Sequence, residues 1–561
     1  MDDRVVVEVA RRGRLVVGEP FFTPGVPIVL DRKGLGDISP GQLAVVATGR
    51  GRARLERALG PARAIENVLE ALLEHEGLRR GFEPYTPPPG ALEGRVDLRE
   101  QLAFTVDPET AKDFDDAISA RREGDGARIW VHIADVSHFV PAASALDHGA
   151  AERALSVYVP GRVAPMLPPE LADDLCSLRP HQDRLCVTVE VPFDGALEVG
   201  EASFYRSVIR SRERLTYGRA EAILAGREHA DAELAEALRL AEHVALELRR
   251  RRFQRGALRI ASSEIGFAFD GEGGVERAWV EAEPHAHALV EELMILANEA
   301  VARVLASRRR SALYRVHERP DPQAIMHLVA KLADLDVPTP GTPEADSLGP
   351  ARAAELAAAV SERVSEYIER TRRGREAFPT LVLRALKQAR YDPRNLGHSG
   401  LASRAYCHFT SPIRRYPDLV CHRALLRELG AADDPLPDDL SDAAEHCSVQ
   451  ERAAAEIEFR ADDICLAWLL EEVLFDRGWE EAFEGEVIGV IPSGLFVRFA
   501  DVFEGLLPAR RLAGDYFELN ALGTALVGRR TKRTFRLGDP IVVRVEEIRR
   551  EEGKVELGLA P

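Results

Sequence analysis

The chain has 561 residues, 45% of them hydrophobic and 30% charged, which is ordinary for a globular protein but too long for one hydrophobic core, so about three or four domains are expected. It has no apolar run of about 18 residues and no basic-then-apolar pattern at its N-terminus, so no transmembrane helix is expected and a cytoplasmic protein is the default expectation. The net charge of −18, taken as a sum, argues against a nucleic-acid partner.

The charge is unevenly distributed, however. Residues 1–60 carry ten basic and seven acidic side chains, residues 482–561 carry twelve of each, and residues 431–481 carry sixteen acids against three bases. Salt screens charges beyond roughly 8 Å, so a chain that is acidic as a whole can still bind phosphate at its neutral or basic ends.

The N-terminal region reads as a small β-barrel followed by a helix and a linker. Residues 1–60 contain short apolar strands broken by Gly and Pro, which is typical of an OB-like barrel. Residues 61–80 have apolar side chains at helical spacing, and the Pro-rich stretch 85–90 reads as a linker. Residues 61–97 are therefore assigned to a helix and a linker.

The rest of the chain divides into three parts. Residues 98–430 begin with strand-like segments and become rich in helices, which predicts a mixed α/β domain. Residues 431–481 read as an acidic helical connector, and residues 482–561 return to the alternation of a five-stranded OB-type barrel. The predicted fold class is a multidomain α+β protein with small β-barrels on both sides of a central mixed domain.

Several common functional motifs are absent from the sequence. The six cysteines are scattered without a C-x-x-C pair, so neither a zinc site nor a disulfide framework is indicated, and reduced, buried thiols are expected. No G-x-x-x-x-G-K-[ST] loop occurs, which argues against a helicase or another NTPase.

Four carboxylates fall within ten residues: Asp107, Asp113, Asp115 and Asp116. Clustered carboxylates repel one another unless a cation neutralises them, and hard oxygen ligands of this kind suit Mg²⁺, with Mn²⁺ as the alternative ion. A turn at Pro108 would fold Asp107 back towards the later aspartates. A solvated acidic loop is the competing interpretation of this segment by itself.

A basic motif lies some 300 residues later. Arg414 and Arg415 follow Ser411-Pro-Ile, and arginine has the planar fork that suits phosphate oxygens. Thr410 and Ser411 could cap a helix that starts near Pro412. An acidic cluster for metal and an arginine cluster for phosphate are the two halves of a phosphoryl-transfer site. At least one of Arg415 and Arg423 is expected to pair with an acid on a neighbouring helix instead.

These two segments resemble the catalytic RNB domain of the ribonuclease II and ribonuclease R exoribonucleases. Further matching segments lie between them in the same order, among them Val131–Ser137, Ser156–Pro160, Val290–Asn298 and Tyr314–Glu318. The resemblance covers about residues 98–430. Residues 482–561 look like an S1-type RNA-binding domain, and residues 1–60 look like a shortened cold-shock domain.

The resemblance implies processive 3′→5′ hydrolysis of single-stranded RNA to nucleoside 5′-monophosphates. The expected cofactor is a pair of Mg²⁺ ions. The protein is expected to be a monomer that does not associate with a membrane. Asp107, Asp113, Asp115 and Asp116 match the family's metal ligands, and Arg414 matches its catalytic arginine, with Asp115 as the other catalytic residue. Tyr158 and Tyr217 match aromatic residues that contact the RNA, and either Glu291 or Glu292 matches an acid near the terminal nucleotide. Arg415 is a further candidate for an RNA contact.

The C-terminal barrel supplies more candidates for RNA binding. Single strands are captured by aromatic stacking and a basic track, which points to Phe483, Phe496 and the basic side chains Arg529, Arg530, Lys532 and Arg533. A place in the barrel core is the competing interpretation of Phe496. His132 and His138 lie beside a strand that reads as buried and are expected to be structural.

Two other functions remain open from the residues. One is an RNA-binding regulator with a degenerate nuclease domain, which the presence of all four aspartates and Arg414 argues against. The other is a metal-dependent deoxyribonuclease or phosphodiesterase, because the contacts with a 2′-hydroxyl that separate RNA from DNA cannot be located in the sequence.

Overall fold

The computed structural model describes residues 3–31, 38–49, 51–78, 81–259, 264–271, 273–281, 285–341, 348–512 and 514–560. None of the helices in these ranges is long and apolar enough to cross a membrane. Two small barrels and a central mixed domain make up the molecule, as the sequence predicts.

The N-terminal barrel has five strands. They are β1 (Asp3–Arg12), β2 (Leu15–Pro20), β3 (Ile28–Val29), β4 (Gln42–Thr48) and β5 (Arg54–Pro61). The strands are hydrogen-bonded in the order β3-β2-β1-β4-β5, and a parallel bridge between Leu30 and Ala53 brings the two edges together. This isolated bridge, next to the ends of β3 and β5, joins the two edges of the sheet.

Helix α1 (Ile65–His75) follows the barrel. It is shorter than the helix predicted over 61–80, whose residues 79 and 80 lie outside the described residues. One face of α1 buries Ile65, Leu69 and Leu72 in the core that it shares with the barrel.

The central domain is built on a seven-stranded sheet. Its strands, with the short hairpin β10–β11 beside them, are β6 (Val96–Leu98), β7 (Phe104–Asp107), β8 (Asp116–Glu123), β9 (Gly126–Ala134), β10 (Val157–Val159), β11 (Arg162–Ala164), β12 (Asp183–Phe193), β13 (Ser203–Arg210) and β14 (Glu213–Thr216). The sheet order is β14-β7-β8-β9-β12-β13-β6. Strands β7 and β8 are adjacent, which places both ends of the aspartate segment in the middle of the fold.

Helices cover this sheet and connect its strands. They are α2 (Val136–Phe139), α3 (Ala145–Arg153), a π-helical turn (Glu170–Leu175), α4 (Tyr217–Leu224), α5 (Ala232–Gln254) and α6 (His285–Ser307). The apolar faces of α5 and α6 pack on the sheet and form the largest core of the domain. Both long helices follow the strands of the sheet, in agreement with the predicted change from strands to helices within residues 98–430.

The second half of the domain and the connector that follows it are mainly helical. Its elements are β15 (Ile265–Phe269), β16 (Val275–Val280), β17 (Tyr314–Val316), α7 (Pro322–Asp334), α8 (Pro350–Thr371), α9 (Ala377–Arg384), β18 (Arg390–Asp392), a 3₁₀ turn (Ser399–Leu401), α10 (Tyr416–Glu428) and α11 (Leu440–Arg477). Helix α11 lies in the region predicted as an acidic connector. Its buried face contributes to the same hydrophobic core as residues of both barrels, so α11 connects the two barrels through that core.

The C-terminal barrel is closed and carries an inserted three-stranded sheet. Its elements are β19 (Phe483–Ile491), β20 (Gly494–Phe499), β21 (Phe503–Pro508), a 3₁₀ turn (Ala509–Arg511), β22 (Phe517–Leu519), β23 (Ala525–Gly528), β24 (Thr534–Arg536), β25 (Pro540–Arg549), a 3₁₀ turn (Arg550–Glu552) and β26 (Lys554–Leu559). The barrel order β19-β20-β21-β26-β25 repeats the order of the N-terminal barrel. The predicted barrel is confirmed, and the inserted sheet β22–β24 was not predicted.

Candidate active site

The aspartate segment joins two adjacent strands of the central sheet. Asp107 is the last residue of β7 and Asp116 is the first residue of β8, and the strands pair where Phe104 lies opposite Ile118. Between them the chain turns, and the Ala111 N–H donates to the Pro108 carbonyl at 3.2 Å. The predicted turn at Pro108 is therefore present, and the aspartates lie at neighbouring strand ends.

Asp115 connects this segment to the arginine motif. Its side chain is buried, with 4% of the residue exposed. Its Oδ1 accepts a hydrogen bond from the Ile413 N–H at 2.8 Å, and its Oδ2 lies 3.5 Å from Arg414 Nε. Two segments separated by 298 residues in sequence are thus in direct contact.

Burial dominates the electrostatics of the aspartates. It raises the pKa of Asp107 to about 6 and the pKa of Asp116 to about 7, and it raises the pKa of Asp115 as well. Neighbouring carboxylates add to each shift, whereas the positive charge of Arg414 opposes it. The segment therefore carries more negative charge than its surroundings neutralise.

The donor set fits a hard divalent cation. The Oδ2 atoms of Asp107 and Asp115 are buried and have no hydrogen-bond partner, and Arg414, 3.5 Å from Asp115 Oδ2, offsets the cost of burying that carboxylate only in part. Carboxylate oxygens are the ligands that Mg²⁺ and Mn²⁺ prefer. Across the described ranges, no group of three or more His, Cys, Asp or Glu side chains is already gathered into a metal shell. The aspartates thus have suitable chemistry without a preassembled coordination sphere.

The arginine motif is a turn that precedes a helix. The N–H groups of Arg414 and Arg415 both donate to the Ser411 carbonyl, at 3.3 and 3.0 Å. Helix α10 begins at Tyr416, its N-cap Arg415 makes no side-chain cap, and Pro417 lies in its first turn. The predicted helix start near Pro412, with Thr410 or Ser411 as the cap, is wrong because this turn occupies those positions.

Asp418 holds the turn in place. It is fully buried, and its Oδ1 accepts from the Ser411 N–H at 2.8 Å and from Arg415 Nη2 at 2.9 Å. Arg415 is engaged in this pair, and its RNA contact stays a prediction. Arg414 has 46% of its side chain exposed and bonds Ser411 Oγ at 3.2 Å, so its guanidinium can reach a ligand.

The expected structural pairing of an arginine is confirmed for Arg423. This side chain is almost completely buried, and its Nη1 lies 2.8 Å from Asp147 Oδ1 on helix α3. Of the arginines in the motif, Arg414 is therefore the one best exposed beside the aspartates.

The two predicted stacking tyrosines lie next to the aspartates. The Tyr158 hydroxyl donates to Asp113 Oδ2 at 2.6 Å. Burial and the charges of Asp116 and Asp107 raise the pKa of Tyr217, whose ring lies 5.3 Å from the ring of His287 on α6. Both tyrosines remain half-buried, which leaves part of each ring accessible.

Glu458 is a site residue that the sequence did not reveal. It lies on α11, and its Oε1 accepts from the backbone N–H of Tyr158 at 2.8 Å. It is one of sixteen acids between residues 431 and 481, and nothing in the sequence distinguishes it from its neighbours.

Glu291 and Glu292 differ sharply in their surroundings. Glu292 is buried in an ion pair with Arg252, whose Nε lies 3.1 Å from its Oε1. Glu291 has 39% of its side chain exposed, and its Oε1 lies 3.4 Å from Nη2 of the same Arg252. It is also one helical turn from His287, the residue that contacts Tyr217, so it lies on the face of α6 turned towards the site.

The aromatic candidates of the C-terminal barrel separate into core and surface. Phe483 is buried in the barrel core, so its predicted RNA contact is wrong. Phe496 is 41% exposed on the outer face of β20, so the core interpretation of this residue is wrong. The exposed ring of Phe496 therefore remains a candidate for stacking on an RNA base.

The predicted basic run lies in the turn between β23 and β24. Arg529 bonds Glu518 at 2.7 Å and stacks on the ring of Tyr516, which is 67% exposed and was not predicted. Arg533 stacks on Phe535, and Arg530 and Lys532 are exposed. The turn therefore combines basic and aromatic side chains on one surface.

The residues expected to be structural are confirmed as such. His132 is fully buried between Ser119 Oγ at 3.0 Å and Thr188 Oγ1 at 2.9 Å, and burial lowers its pKa to about 3. His138 bonds the Pro89 carbonyl at 2.9 Å. All six cysteines are free and buried.

Comparisons with known proteins agree with this layout. Residues 95–430 match the RNB domain, and residues 479–559 match the S1 RNA binding domain. Ribonuclease R of Escherichia coli (strain K12) is 37% identical over 489 residues, which cover 84% of this chain and 58% of the relative. The chain thus spans less than two thirds of that relative.

Solved structures share the fold. Mycoplasma genitalium RNase R in complex with ribose methylated single-stranded RNA superposes with a TM-score of 0.87 at 24% identity, covering 99% of this chain and 89% of that one. Yeast Ssd1, a pseudonuclease, superposes with a TM-score of 0.67 at 17% identity, covering 94% and 68%. Because one of these proteins is a pseudonuclease, the fold alone does not decide whether such a chain is an enzyme.

Proposed function

The chain belongs to the RNB-domain family of ribonucleases, and from that premise we propose that it is a metal-dependent exoribonuclease that hydrolyses single-stranded RNA from the 3′ end to nucleoside 5′-monophosphates. The observation that carries the proposal is the contact of Asp115 with Ile413 and Arg414, which places the acidic and the arginine segments in one site. The polarity and the product follow from the family resemblance.

The acidic half is proposed to hold the cofactor. Asp107, Asp113, Asp115 and Asp116 would bind Mg²⁺, or Mn²⁺, through their carboxylate oxygens. The bound ions would supply water activation and neutralisation of charge at the leaving oxygen. The unpartnered oxygens of Asp107 and Asp115 and the raised pKa values support this assignment.

The arginine half is proposed to act on the phosphate. Arg414 would donate to the non-bridging oxygens of the scissile phosphate and stabilise the charge that they carry in the transition state. Its backbone is fixed by the Ser411 turn, and that turn is fixed by Asp418 and by Asp115. The guanidinium is therefore preorganised, which is what this form of catalysis requires.

The RNA would be bound at two places, at its 3′ end in the active site and farther along the strand at the C-terminal barrel. Tyr158 and Tyr217 would stack on bases beside the aspartates. Of the two acids left open by the sequence, Glu291 is the better candidate for a contact with the terminal nucleotide, because its side chain is 39% exposed, whereas Glu292 is buried against Arg252. Farther along the strand, Phe496 and the basic turn Arg529–Arg533 would bind the RNA.

Digestion of a 5′-labelled single-stranded RNA, beside matched DNA and a hairpin with a 3′ overhang, tests the proposal. We expect a descending ladder and mononucleotides with Mg²⁺, and neither product with EDTA. RNA binding without mononucleotide release would support an RNA-binding protein in place of the enzyme. Equal digestion of the DNA would support a general phosphodiesterase.

A further inference from the structure

The hairpin that carries Tyr158 is small and is held from outside. Each strand of β10–β11 has three residues, and Tyr158 pairs with Val163 while Val159 pairs with Arg162. Its apolar side chains Val157, Val159 and Ala164 are buried in the core that also contains residues of α1 and α11. Contacts from those two helices therefore determine where the Tyr158 ring lies.

A single buried carboxylate links this hairpin to the N-terminal barrel. Glu70, in the middle of α1, is 5% exposed. Its Oε1 lies 2.8 Å from Arg57 Nη2 on β5, and its Oε2 lies 3.2 Å from Arg162 Nη1 on β11. Each oxygen thus bonds an arginine from a different part of the molecule.

Loss of this carboxylate would remove the closest ion pair between α1 and the hairpin, while the apolar packing of the hairpin in the shared core would remain. Glu66 also approaches Arg162, but at 3.6 Å and from an exposed position, where ion pairs contribute little. On the other side, Glu458 of α11 would still accept from the Tyr158 N–H. The closest polar contact that holds the hairpin would then come from α11.

We propose that Glu70 is a positioning residue for the 3′-terminal nucleotide: acting through Arg162, it fixes the ring of Tyr158 on which the terminal base stacks. The inference rests on the proposed function, since it assigns the base to Tyr158. The N-terminal barrel would also contribute to binding of the RNA 3′ end, because Arg57 of the barrel bonds the same carboxylate.

The position of Tyr158 affects more than stacking. Its hydroxyl donates to Asp113 Oδ2 at 2.6 Å, so a displaced hairpin would also disturb one of the four aspartates. Misplacement of a reacting group by about 1 Å can cost roughly 100-fold in rate. Substitution of Glu70 should therefore slow release of the terminal nucleotide and loosen its base.

Glu74 provides a matched control on the same helix. It is as buried as Glu70 and bonds the same Arg57, at 2.6 Å, and its other ion pair in the described contacts is to Arg4 of the barrel rather than to the hairpin. Glu70→Gln and Glu74→Gln thus both weaken the junction of barrel and helix, but Glu70→Gln alone removes the carboxylate from Arg162.

The experiment uses the full chain and a single-stranded RNA with 2-aminopurine as its 3′-terminal base. In EDTA, we expect Glu70→Gln to reduce the stacking-dependent quenching of the base, and Glu74→Gln to leave it unchanged. In Mg²⁺, Glu70→Gln should slow single-turnover release by between about 10- and 100-fold. Equal quenching and equal rates in the two variants would overturn the proposal.

A double-mutant cycle with Tyr158→Ala separates positioning from general destabilisation. If Glu70 acts through Tyr158, Glu70→Gln has no further effect in the Tyr158→Ala background, and independent, additive effects would contradict the inference. Should Glu70→Gln fail to fold, Arg162→Gln replaces it in both measurements. A failure of the proposed function would appear separately, as wild-type protein that releases no mononucleotide, while the quenching in EDTA still reports on Tyr158.

Discussion

The two halves of the site differ in how far the protein itself completes them. In the arginine half, buried charges are paired, Arg415 with Asp418 and Arg423 with Asp147. In the acidic half, burial raises the pKa values of Asp107, Asp115 and Asp116, and the positive charge of Arg414 only partly opposes these shifts.

The contrast indicates a division of labour. The arginine half is rigid before any ligand arrives, which suits a group that must meet a phosphate in a fixed geometry. The acidic half is unfavourable by itself and would be relieved by a divalent cation.

Asp115→Asn is expected to abolish turnover. The amide oxygen can still accept from the Ile413 N–H, so the contact between the halves and the fold should survive while the charge for a metal is lost. The rate should fall by more than the roughly 10²–10³-fold that loss of one transition-state donor costs. Mononucleotide release and RNA binding are measured together. Asp125→Asn, in the exposed turn between β8 and β9, is the control, and near-normal release by Asp115→Asn would refute the assignment.

Arg414→Ala should lower the rate of release by about 10²–10³-fold with little change in thermal stability. The side chain is half exposed, its ion pair with Asp115 is long at 3.5 Å, and Asp418 holds the Ser411 turn without it. Arg415→Ala is the contrasting variant. Arg415→Ala removes the cation that pairs with the buried Asp418. The melting temperature of Arg415→Ala should therefore fall more than that of Arg414→Ala. A larger fall in melting temperature for Arg414→Ala than for Arg415→Ala would contradict this, because Arg414 would then be the arginine that stabilises the fold.

Asp418→Asn should act on the arginine half indirectly. Loss of the buried charge weakens the bonds to Ser411 and Arg415, and hydrogen bonds to charged groups contribute about 1.5–3 kcal/mol. We expect a drop in unfolding free energy of that order, with a smaller loss of activity than for Arg414→Ala. Denaturant unfolding and single-turnover release measure the two effects. Unchanged stability would mean that the turn does not depend on Asp418.

The acidic half also predicts a dependence on pH. In the metal-free protein Asp107 and Asp116 titrate near 6 and 7, above the ordinary value of 3.8, so the folded state binds more protons than the unfolded state in that window. Stability without metal should therefore fall as pH rises from about 4 to about 7, and Mg²⁺ should bind more tightly over the upper part of that range. Thermal unfolding with and without Mg²⁺ at about pH 5.5 and pH 8 tests this, and a larger Mg²⁺ effect at the lower pH would contradict it.

Much of the fold and the core of the site could be predicted from the sequence. Alternating strands and periodic helices are local signals, and the ordered motifs around Asp115 and Arg414 identify the family. The missed features depend on distant contacts. The start of α10 is shifted to Tyr416 by a turn that Asp418 and Asp115 stabilise. The role of Glu458 appears only when α11 is packed against the Tyr158 hairpin.

The most direct test of the contrast between the halves is a titration with Mn²⁺, followed by electron paramagnetic resonance, in the absence of RNA. Wild-type protein and Arg414→Ala are expected to bind the ion, the variant at least as tightly, because a nearby positive charge has been removed. Asp115→Asn should bind it at least about 10-fold more weakly. Equal binding by all three proteins would contradict the account, since the aspartate segment would then not be what holds the metal.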